Sequence, residues 1–375
     1  MPIALNVVLL ILTCAYSVYI LWQLAAWIFA PVYKPASDNF RTRVSLIIPC
    51  RNEEKNIGNC LASLLQQDYP SSLLEIIVAD DHSEDRTAII CKEKLEKSKF
   101  SWKYVPVGEI LSGKKKAIES GINASSGELI IITDADCTTN KNWVSSIVSL
   151  YEEKNYQMIC GPVAIVTEKN FCENFQALEF TGLSLLAGAG IFSGTPLICN
   201  GANLAYTRSA FEKVNGFEDI SDSPSGDDTL LLFKINKQFP EQIGYTKSAE
   251  SIVLTQAQPG WGSLLQQRIR WASKGFRSKN QLNSLISILV FVTNLLLLVC
   301  SICSLVYFSF NLVFILSIIV KFTTDFLLLT CGTNFFKRHQ LLFYFLASEI
   351  VTMFYVSWVG LVANFSRYHW KGRDY

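Results

Sequence analysis

The sequence predicts an α/β protein, with a doubly wound, mostly parallel sheet held between apolar helical ends. Three observations predict it. Charge is unevenly spread: of 375 residues half are hydrophobic and 17% charged, whereas a soluble domain carries about 25% charged residues. Residues 1–30 hold no charge and residues 280–375 hold nine, yet residues 31–279 are 22% charged. Within that middle region short β-rich apolar runs alternate with helical patterns, the signature of a parallel sheet covered by helices. Apolar stretches long enough to cross a bilayer flank it on both sides. This pattern argues against a wholly soluble enzyme, a disordered chain and a polytopic transporter. A net charge of +1 provides no global field for nucleic acid.

Residues 1–30 form the first element. Ile3 to Ala30 is one apolar run. At about 1.5 Å per residue it exceeds a bilayer core of about 30 Å. It lacks the basic n-region of a cleaved signal peptide and is too long for an h-region, so a retained transmembrane anchor is expected. Lys34, Arg41 and Arg43 follow it, which places the next domain in the cytoplasm by the positive-inside rule. Residues 31–43, with two prolines, read as a linker.

The soluble domain is expected over 44–260. Val44–Pro49 reads as a buried strand, followed by an amphipathic helix through Leu65. Leu74–Ala79 is a second strand ending in Asp80 and Asp81, and Arg86–Lys97 a helix. Trp102–Val105 is a third strand, Gly113–Asn123 a helix, and Glu128–Thr133 a fourth strand ending in Asp134. Open α/β sheets bind ligands at the carboxyl ends of their strands, where Asp80/Asp81 and Asp134/Asp136 fall. Two carboxylates spaced as in Asp134-Ala135-Asp136 can hold a hard divalent cation that also contacts phosphate oxygens. No Gly-x-Gly-x-x-Gly follows the first strand and no Walker sequence is present, so a dinucleotide or P-loop site lacks its signature.

Phe180–Thr207 is uncharged. Were it a membrane span, Asp136 and Asp228 would lie on opposite sides of the bilayer. Gly182, Gly188, Gly190, Gly194 and Pro196 are also expected to break a regular helix. The reading is a helix and loop at the membrane surface that lines an acceptor path, then a strand over Leu204–Tyr206. Asp227 and Asp228 precede a helix over Thr229–Lys237, where one of them can cap the N-terminus.

Residues 261–280 form an amphipathic helix carrying Gln267-Arg268-Ile269-Arg270-Trp271. Its Arg268, Lys274 and Arg277 suit an interface with anionic headgroups. Arg270 can pair with phosphate bidentately, and Trp271 offers a flat face for a sugar ring. Residues 281–375 form a C-terminal membrane region. Asn280–Val320 holds two spans with a turn near Tyr307–Asn311, and a third span lies near Leu341–Ala363. Lys321 and Asp325 are one helical turn apart and can pair, and Glu349 falls inside the last span. Three C-terminal spans would put the C-terminus outside, whereas Arg367, Lys371 and Arg373 prefer the cytoplasm. The eleven cysteines show no repeated spacing and read as small core thiols.

The order of motifs resembles glycosyltransferase family 2 with the GT-A fold. The likeness is to its membrane-bound branch, which includes cellulose, chitin and hyaluronan synthases and ceramide glucosyltransferase. The matching residues are Pro49-Cys50-Arg51-Asn52-Glu53, Asp80-Asp81-His82-Ser83-Glu84-Asp85, Gly113–Ile118, Asp134-Ala135-Asp136, Gly201-Ala202-Asn203, Gly226-Asp227-Asp228 and Gln267–Trp271. The resemblance implies a donor site in which Asp81, with Asp80 beside it, contacts the nucleotide base. Arg51 and Glu53 would lie near base and ribose, Lys114 near the nucleotide, and Asp134 would face it. Asp136 would bind the metal, Mg²⁺ or Mn²⁺, that bridges the diphosphate. Asp228 aligns with the general base, and Asp227 stands where the family usually has Glu. Gln267, Arg270 and Trp271 would serve the donor diphosphate and the acceptor.

The function so implied is inverting transfer from a cytoplasmic nucleotide-diphosphate sugar, with a uridine donor favoured by analogy, to a membrane-associated lipid or lipid-linked glycan. A processive polysaccharide synthase that exports its polymer is the alternative; three C-terminal spans are few for a polymer channel. A non-catalytic membrane scaffold is the third reading, and the intact acidic motifs oppose it. The expected location is an integral membrane protein with a cytoplasmic catalytic domain, in the plasma (inner) membrane if the source is bacterial.

Overall fold

The computed structural model describes residues 3–34, 39–108, 112–166, 170–218, 220, 226–277, 280–307, 311–363, 369–370 and 373–374. In chain order it runs α1 (Ile3–Phe29), β1 (Val44–Cys50), α2 (Ile57–Leu64), β2 (Leu74–Asp80), α3 (Thr87–Leu95), β3 (Ser101–Pro106), α4 (Lys114–Asn123) and β4 (Leu129–Ile132). Then come β5 (Thr138–Thr139), α5 (Trp143–Lys154), β6 (Met158–Cys160), β7 (Val163–Val166), α6 (Phe171–Phe192), β8 (Leu204–Thr207), α7 (Arg208–Lys213), α8 (Thr229–Gln238), β9 (Ile243–Tyr245) and β10 (Val253–Gln256). Helices α9 (Trp261–Arg277), α10 (Gln281–Val306), α11 (Leu312–Phe335) and α12 (Phe345–Val362), with a short pairing of β11 (His369–Trp370) and β12 (Arg373–Asp374), complete the chain.

The chain divides into two compact units. The sheet unit comprises residues 30–166 and 190–256, and the helical unit residues 1–29, 167–189 and 257–375. The sheet unit is therefore built from two segments rather than from one continuous 44–260 stretch.

The sheet unit holds a seven-stranded sheet of order β3-β2-β1-β4-β8-β6-β9. Strands β1, β2, β3 and β4 run parallel, and β8 is antiparallel to both neighbours. A strand of a sheet covered on both faces reads as a continuous apolar run, and every residue of β1 and β2 is buried, Glu75 among them at 8% exposed. Burying each such Leu, Ile or Val contributes about 1.5–3 kcal/mol before entropy is counted. Glu75 is tolerated because its Oε1 accepts from Ser45 Oγ at 2.6 Å, from Ser126 N at 2.6 Å and from Ser126 Oγ at 2.9 Å. A second sheet has the order β5-β10-β7, with β10 antiparallel to β5 and parallel to β7. The stretch between anchor and β1 is tied down at its described residues: Tyr33 N donates to Lys247 O, and Arg41 N and Thr42 N donate to Glu152 Oε1.

In the helical unit α1 packs on α11 and α10, and α12 on α10 and α9. Five helical stretches among the described residues are long and apolar enough to cross a membrane: Ala4–Phe29, Phe171–Phe192, Gln281–Val306, Leu312–Phe335 and His339–Val362. The N-terminal one and the first and last C-terminal ones match the expected spans; the second, expected to end by Val320, runs on to Phe335 and carries Lys321 and Asp325 inside it. Asn280 and Asn311 cap α10 and α11, accepting from Asn283 N and Phe314 N. The expected turn at Tyr307–Asn311 is bounded by Tyr307 and Asn311; its residues 308–310 lie outside the described residues.

Helix α6 corrects one expectation. It runs unbroken through Gly182, Gly188 and Gly190. A Cβ at Gly182 would meet Leu329 Cδ2 at 3.2 Å, and one at Gly332 of α11 would meet Thr181 Cγ2 at 2.7 Å. These glycines serve close helix approach, a use that outweighs their poor helix propensity. Only Gly194, at φ +73°, adopts the left-handed conformation that leaves the helix.

Candidate active site

The site builds from the carboxyl ends of β1, β2 and β4. Asp80 closes β2 and Asp81 follows it, both buried. Asp81 Oδ2 accepts from Gly113 N at 2.9 Å, and its Oδ1 lies 3.1 Å from His82 Nδ1. Arg51 Nη1, just past β1, donates to Asp81 O at 3.1 Å and stands 3.9 Å from Asp81 Oδ2. Asn52 and His82 take left-handed φ values of 52° and 59°, conformations asparagine and histidine adopt more readily than most side chains. Glu53, 9% exposed, accepts from Asn56 Nδ2 at 2.8 Å, and its N–H is taken by Thr87 Oγ1 at 2.8 Å.

Asp80 turns out differently from the expectation of a ligand contact. Its Oδ2 accepts from Tyr104 Oη at 2.7 Å and Ser83 N at 3.3 Å, and its Oδ1 from the Ser83 hydroxyl and from Cys50 Sγ at 3.6 Å. A carboxylate offers about four lone-pair positions, so protein donors fill Asp80. Burial, and then the Asp80 carboxylate, push the Tyr104 phenol well above its usual range and keep it the donor. Asp80 holds the loop that presents Asp81. Tyr104 and Ser83 are the partners that sequence reasoning passed over.

Beyond β4 lies an acidic cluster around one cation. Lys114 Nζ, at the start of α4, is 2.7 Å from Asp134 Oδ1 and 3.0 Å from Asp227 Oδ2. Burial alone would lower the Lys114 pKa; the Asp134, Asp227 and Asp228 carboxylates outweigh it and raise the pKa above that of a free lysine. Asp228 is the N-cap of α8, its Oδ1 accepting from Thr229 N at 2.6 Å. A Cβ on Gly201 would stand 3.3 Å from both Lys114 Nζ and Asp227 Oδ2, and 3.6 Å from Asp228 Cβ. Glycine at 201 thus lets the backbone close on the cluster. Asn203 is wholly buried and architectural. Its Oδ1 accepts from Trp143 Nε1 at 2.9 Å, and its Nδ2 donates to Pro162 O at 2.8 Å and Ser251 O at 2.7 Å.

The sheet unit therefore brings Arg51, Asp81, Lys114, Asp134, Asp227 and Asp228 into one run of contacts, with Glu53 and Asp136 on the loops beside it. The other lysines of the Gly113–Ile118 motif are occupied. Lys115 is buried, bonding Ile220 O, and Lys116 pairs with Glu119 at 2.7 Å.

Asp134 and Asp136 are half-buried acceptors, with Asp136 Oδ1 taking the Cys137 thiol at 3.3 Å. Burial, then Asp136 and Asp134, push the Cys60 and Cys137 thiols well above their usual range. Among the described residues no three His, Cys, Asp or Glu side chains gather into a ready-made metal cage. One or two carboxylate ligands, with phosphate and water completing the shell, suit a hard cation shared with a diphosphate. The residues present fit such an ion.

Gln267, Arg270 and Trp271 belong to the helical unit, on α9. Arg268 does not sit at an interface as expected: it is 3% exposed and pairs with Glu179, Nη2 to Oε2 at 2.5 Å. Its guanidinium lies over Trp271, with Cζ 4.2 Å from the ring centroid. The side chains of Lys274 and Arg277 lie outside the described residues.

Residues 45–214 match Glycosyl transferase family 2. Among relatives, the poly-beta-1,6-N-acetyl-D-glucosamine synthase of Staphylococcus epidermidis is 26% identical over 235 residues, covering 62% of this chain and 54% of that protein. The beta-monoglucosyldiacylglycerol synthase of Synechocystis is 26% identical over 237 residues, covering 63% and 48%. The chain spans about half the length of the curated relatives it matches. Among solved structures, the mannosyltransferase PcManGT from Pyrobaculum calidifontis, in complex with GDP-Man and Mn²⁺, superposes with a TM-score of 0.65 at 19% identity, over 96% of this chain and 98% of that one. The strand order, the acidic strand ends and the match over 45–214 agree: residues 45–214 are similar to glycosyl transferase family 2, and the chain has the GT-A fold.

Proposed function

We propose that this chain is an inverting glycosyltransferase that moves a sugar from a nucleotide-diphosphate sugar to a membrane-associated acceptor, a lipid or lipid-linked glycan. One observation carries the reading. A single ammonium, Lys114, ties Asp134 on the donor side to Asp227, the residue before Asp228. Donor site and base would thereby share one core. In a single displacement one base suffices, and it must reach the acceptor proton. Asp228 would take that proton, with the Thr229 N–H holding one of its oxygens in place. Arg51, Glu53 and Asp81 would seat the nucleoside, and Lys114 would offset negative charge beside the diphosphate. Asp136, with Asp134 near it, would hold a divalent cation, which supplies charge neutralisation for the departing nucleoside diphosphate. The solved relative bound to GDP-Man and Mn²⁺ supports both donor class and cation.

The five apolar helices support an integral membrane protein. Lys34, Arg41 and Arg43 after the first of them support a cytoplasmic catalytic unit, which would lie at the plasma (inner) membrane if the source is bacterial. The names of relatives favour two acceptors, a diacylglycerol lipid and a growing polysaccharide. With one N-terminal and three C-terminal spans, we favour the lipid, and processive synthesis is the second reading.

The test incubates the full chain in membranes with labelled UDP- and GDP-sugars and Mg²⁺ or Mn²⁺, then separates organic-soluble product from polymer. Label in the organic phase is expected; label in polymer would favour the second reading. Asp228→Asn should lower kcat by about 10²–10⁴ while donor binding persists. Asp136→Ala should weaken donor binding only where the cation is present. Neither turnover nor nucleotide binding with any donor would sink the proposal, and a fully active Asp228→Asn would overturn the base assignment.

A further inference from the structure

We propose that Glu179, Arg268 and Tyr355 are positioning residues that fix the side chains of Gln267 and Trp271 for sugar transfer. This rests on the function proposed above and on the roles at the donor diphosphate and acceptor that the resemblance implies for Gln267 and Trp271. The three residues come from three helices of one unit, α6, α9 and α12. The Arg268 guanidinium donates from Nε to both Glu179 oxygens at 3.2 Å, from Nη2 to Glu179 Oε2 at 2.5 Å, and from Nη1 to Gln267 Oε1 at 2.5 Å. Tyr355 Oη donates to Glu179 Oε1 at 2.8 Å. Arg268 is 3% exposed and the Glu179 side chain 15%.

Two consequences follow from the donor inventory. A guanidinium has only donors, so the Gln267 amide must turn its oxygen to Arg268. Its NH₂ is then committed to an acceptor elsewhere, the polarity that a phosphate or sugar oxygen requires. The flat guanidinium also covers one side of Trp271 at 4.2 Å, which fixes the ring plane. A buried ion pair adds little net stability against an apolar replacement. Its presence among apolar helices is accounted for by the geometry it imposes, since a 1 Å misplacement costs about 10²-fold in rate.

The test uses the full chain in detergent, labelled with 5-fluorotryptophan, the Trp271 ¹⁹F resonance being identified by its loss in Trp271→Phe. Transfer kcat is expressed per nucleotide-binding site, so that misfolded protein does not enter it. Glu179→Gln, Arg268→Lys and Tyr355→Phe are each expected to lower kcat about ten- to a hundredfold and to shift or broaden the Trp271 resonance. Lysine keeps the charge but neither the fork nor the plane, so Arg268→Lys should not rescue. If kcat per site stays within twofold, or falls while the Trp271 resonance is unmoved, the proposal is overturned. Should Glu179→Gln not fold, Tyr355→Phe, which removes one hydroxyl, decides by the same two readouts. A wild type that transfers no sugar would sink the functional reading alone; the Trp271 resonance then decides whether these residues position the ring.

Discussion

Lys114 is where single-residue chemistry has most leverage. Its ammonium faces Asp134 and Asp227 at hydrogen-bond distance and Asp228 more distantly. A nearby cation lowers carboxylate pKa values and like charges raise them. Lys114→Met removes the cation and leaves Asp134 and Asp227 facing one another without it. The cluster should then loosen, and kcat/KM of the transfer assay should fall by about 10²-fold. A variant within twofold of wild type would show that Lys114 does not hold the cluster in its working geometry. At this scale the sequence was legible where a motif also fixes geometry. Lys114, Asp134, Asp227 and Asp228, far apart in the chain, do share one cluster. It was not legible for Asp80 against Asp81. Both are acidic, adjacent and at a strand end; only the partners supplied by Tyr104, Ser83 and Cys50 separate the loop-holding carboxylate from its neighbour. Arg268 is the same lesson. An arginine on an amphipathic helix reads as interfacial until Glu179 and Tyr355 arrive from other helices.

At the scale of elements, the buried charges of α11 and α12 decide how three helices hold together. Lys321 Nζ is 2.8 Å from Asp325 Oδ2 and 2.5 Å from Glu349 Oε2, and Tyr16 Oη of α1 donates to Asp325 Oδ1 at 2.7 Å. All four residues are buried. The Lys321–Asp325 spacing predicts the pair within α11, but Glu349 joins only because α12 folds back against it. Removing one member of a buried ion group strands the others at a cost of about 3–5 kcal/mol, whereas replacing the whole group with apolar residues is often neutral. Lys321→Met should therefore lower the thermal midpoint in detergent markedly, and the triple change Lys321→Met, Asp325→Leu, Glu349→Leu should recover most of it. A Lys321→Met midpoint equal to wild type would show that the group does not hold the helices. The glycines of α6 were misread from propensity. Gly182 and Gly332 mark helix contacts, and the residues they contact, Leu329 and Thr181, lie roughly 150 positions away in sequence, beyond any local pattern.

For the whole molecule, the division between charged middle and apolar ends is real but does not follow the chain. Residues 167–189 sit between two segments of the sheet unit yet belong to the helical one. Phe175 and Leu185 are fully buried and Leu178 nearly so. Phe175 packs with Leu264, Val351 and Tyr355, all C-terminal to residue 260. A fragment spanning 31–260, the domain that composition alone would cut out, thus keeps α6 and loses its cover. At about 1.5–3 kcal/mol for each large apolar side chain exposed, and with a contiguous apolar patch left open to association, it should aggregate without detergent. Replacing 171–189 by a Gly-Ser linker in the same fragment should restore a soluble monomer. Size-exclusion chromatography of the two fragments, with and without detergent, decides. A soluble, monomeric 31–260 fragment in plain buffer would mean that α6 is covered within the sheet unit itself. The uncharged stretch inside the soluble region is then best understood as an element lent by one unit's sequence to the other's core.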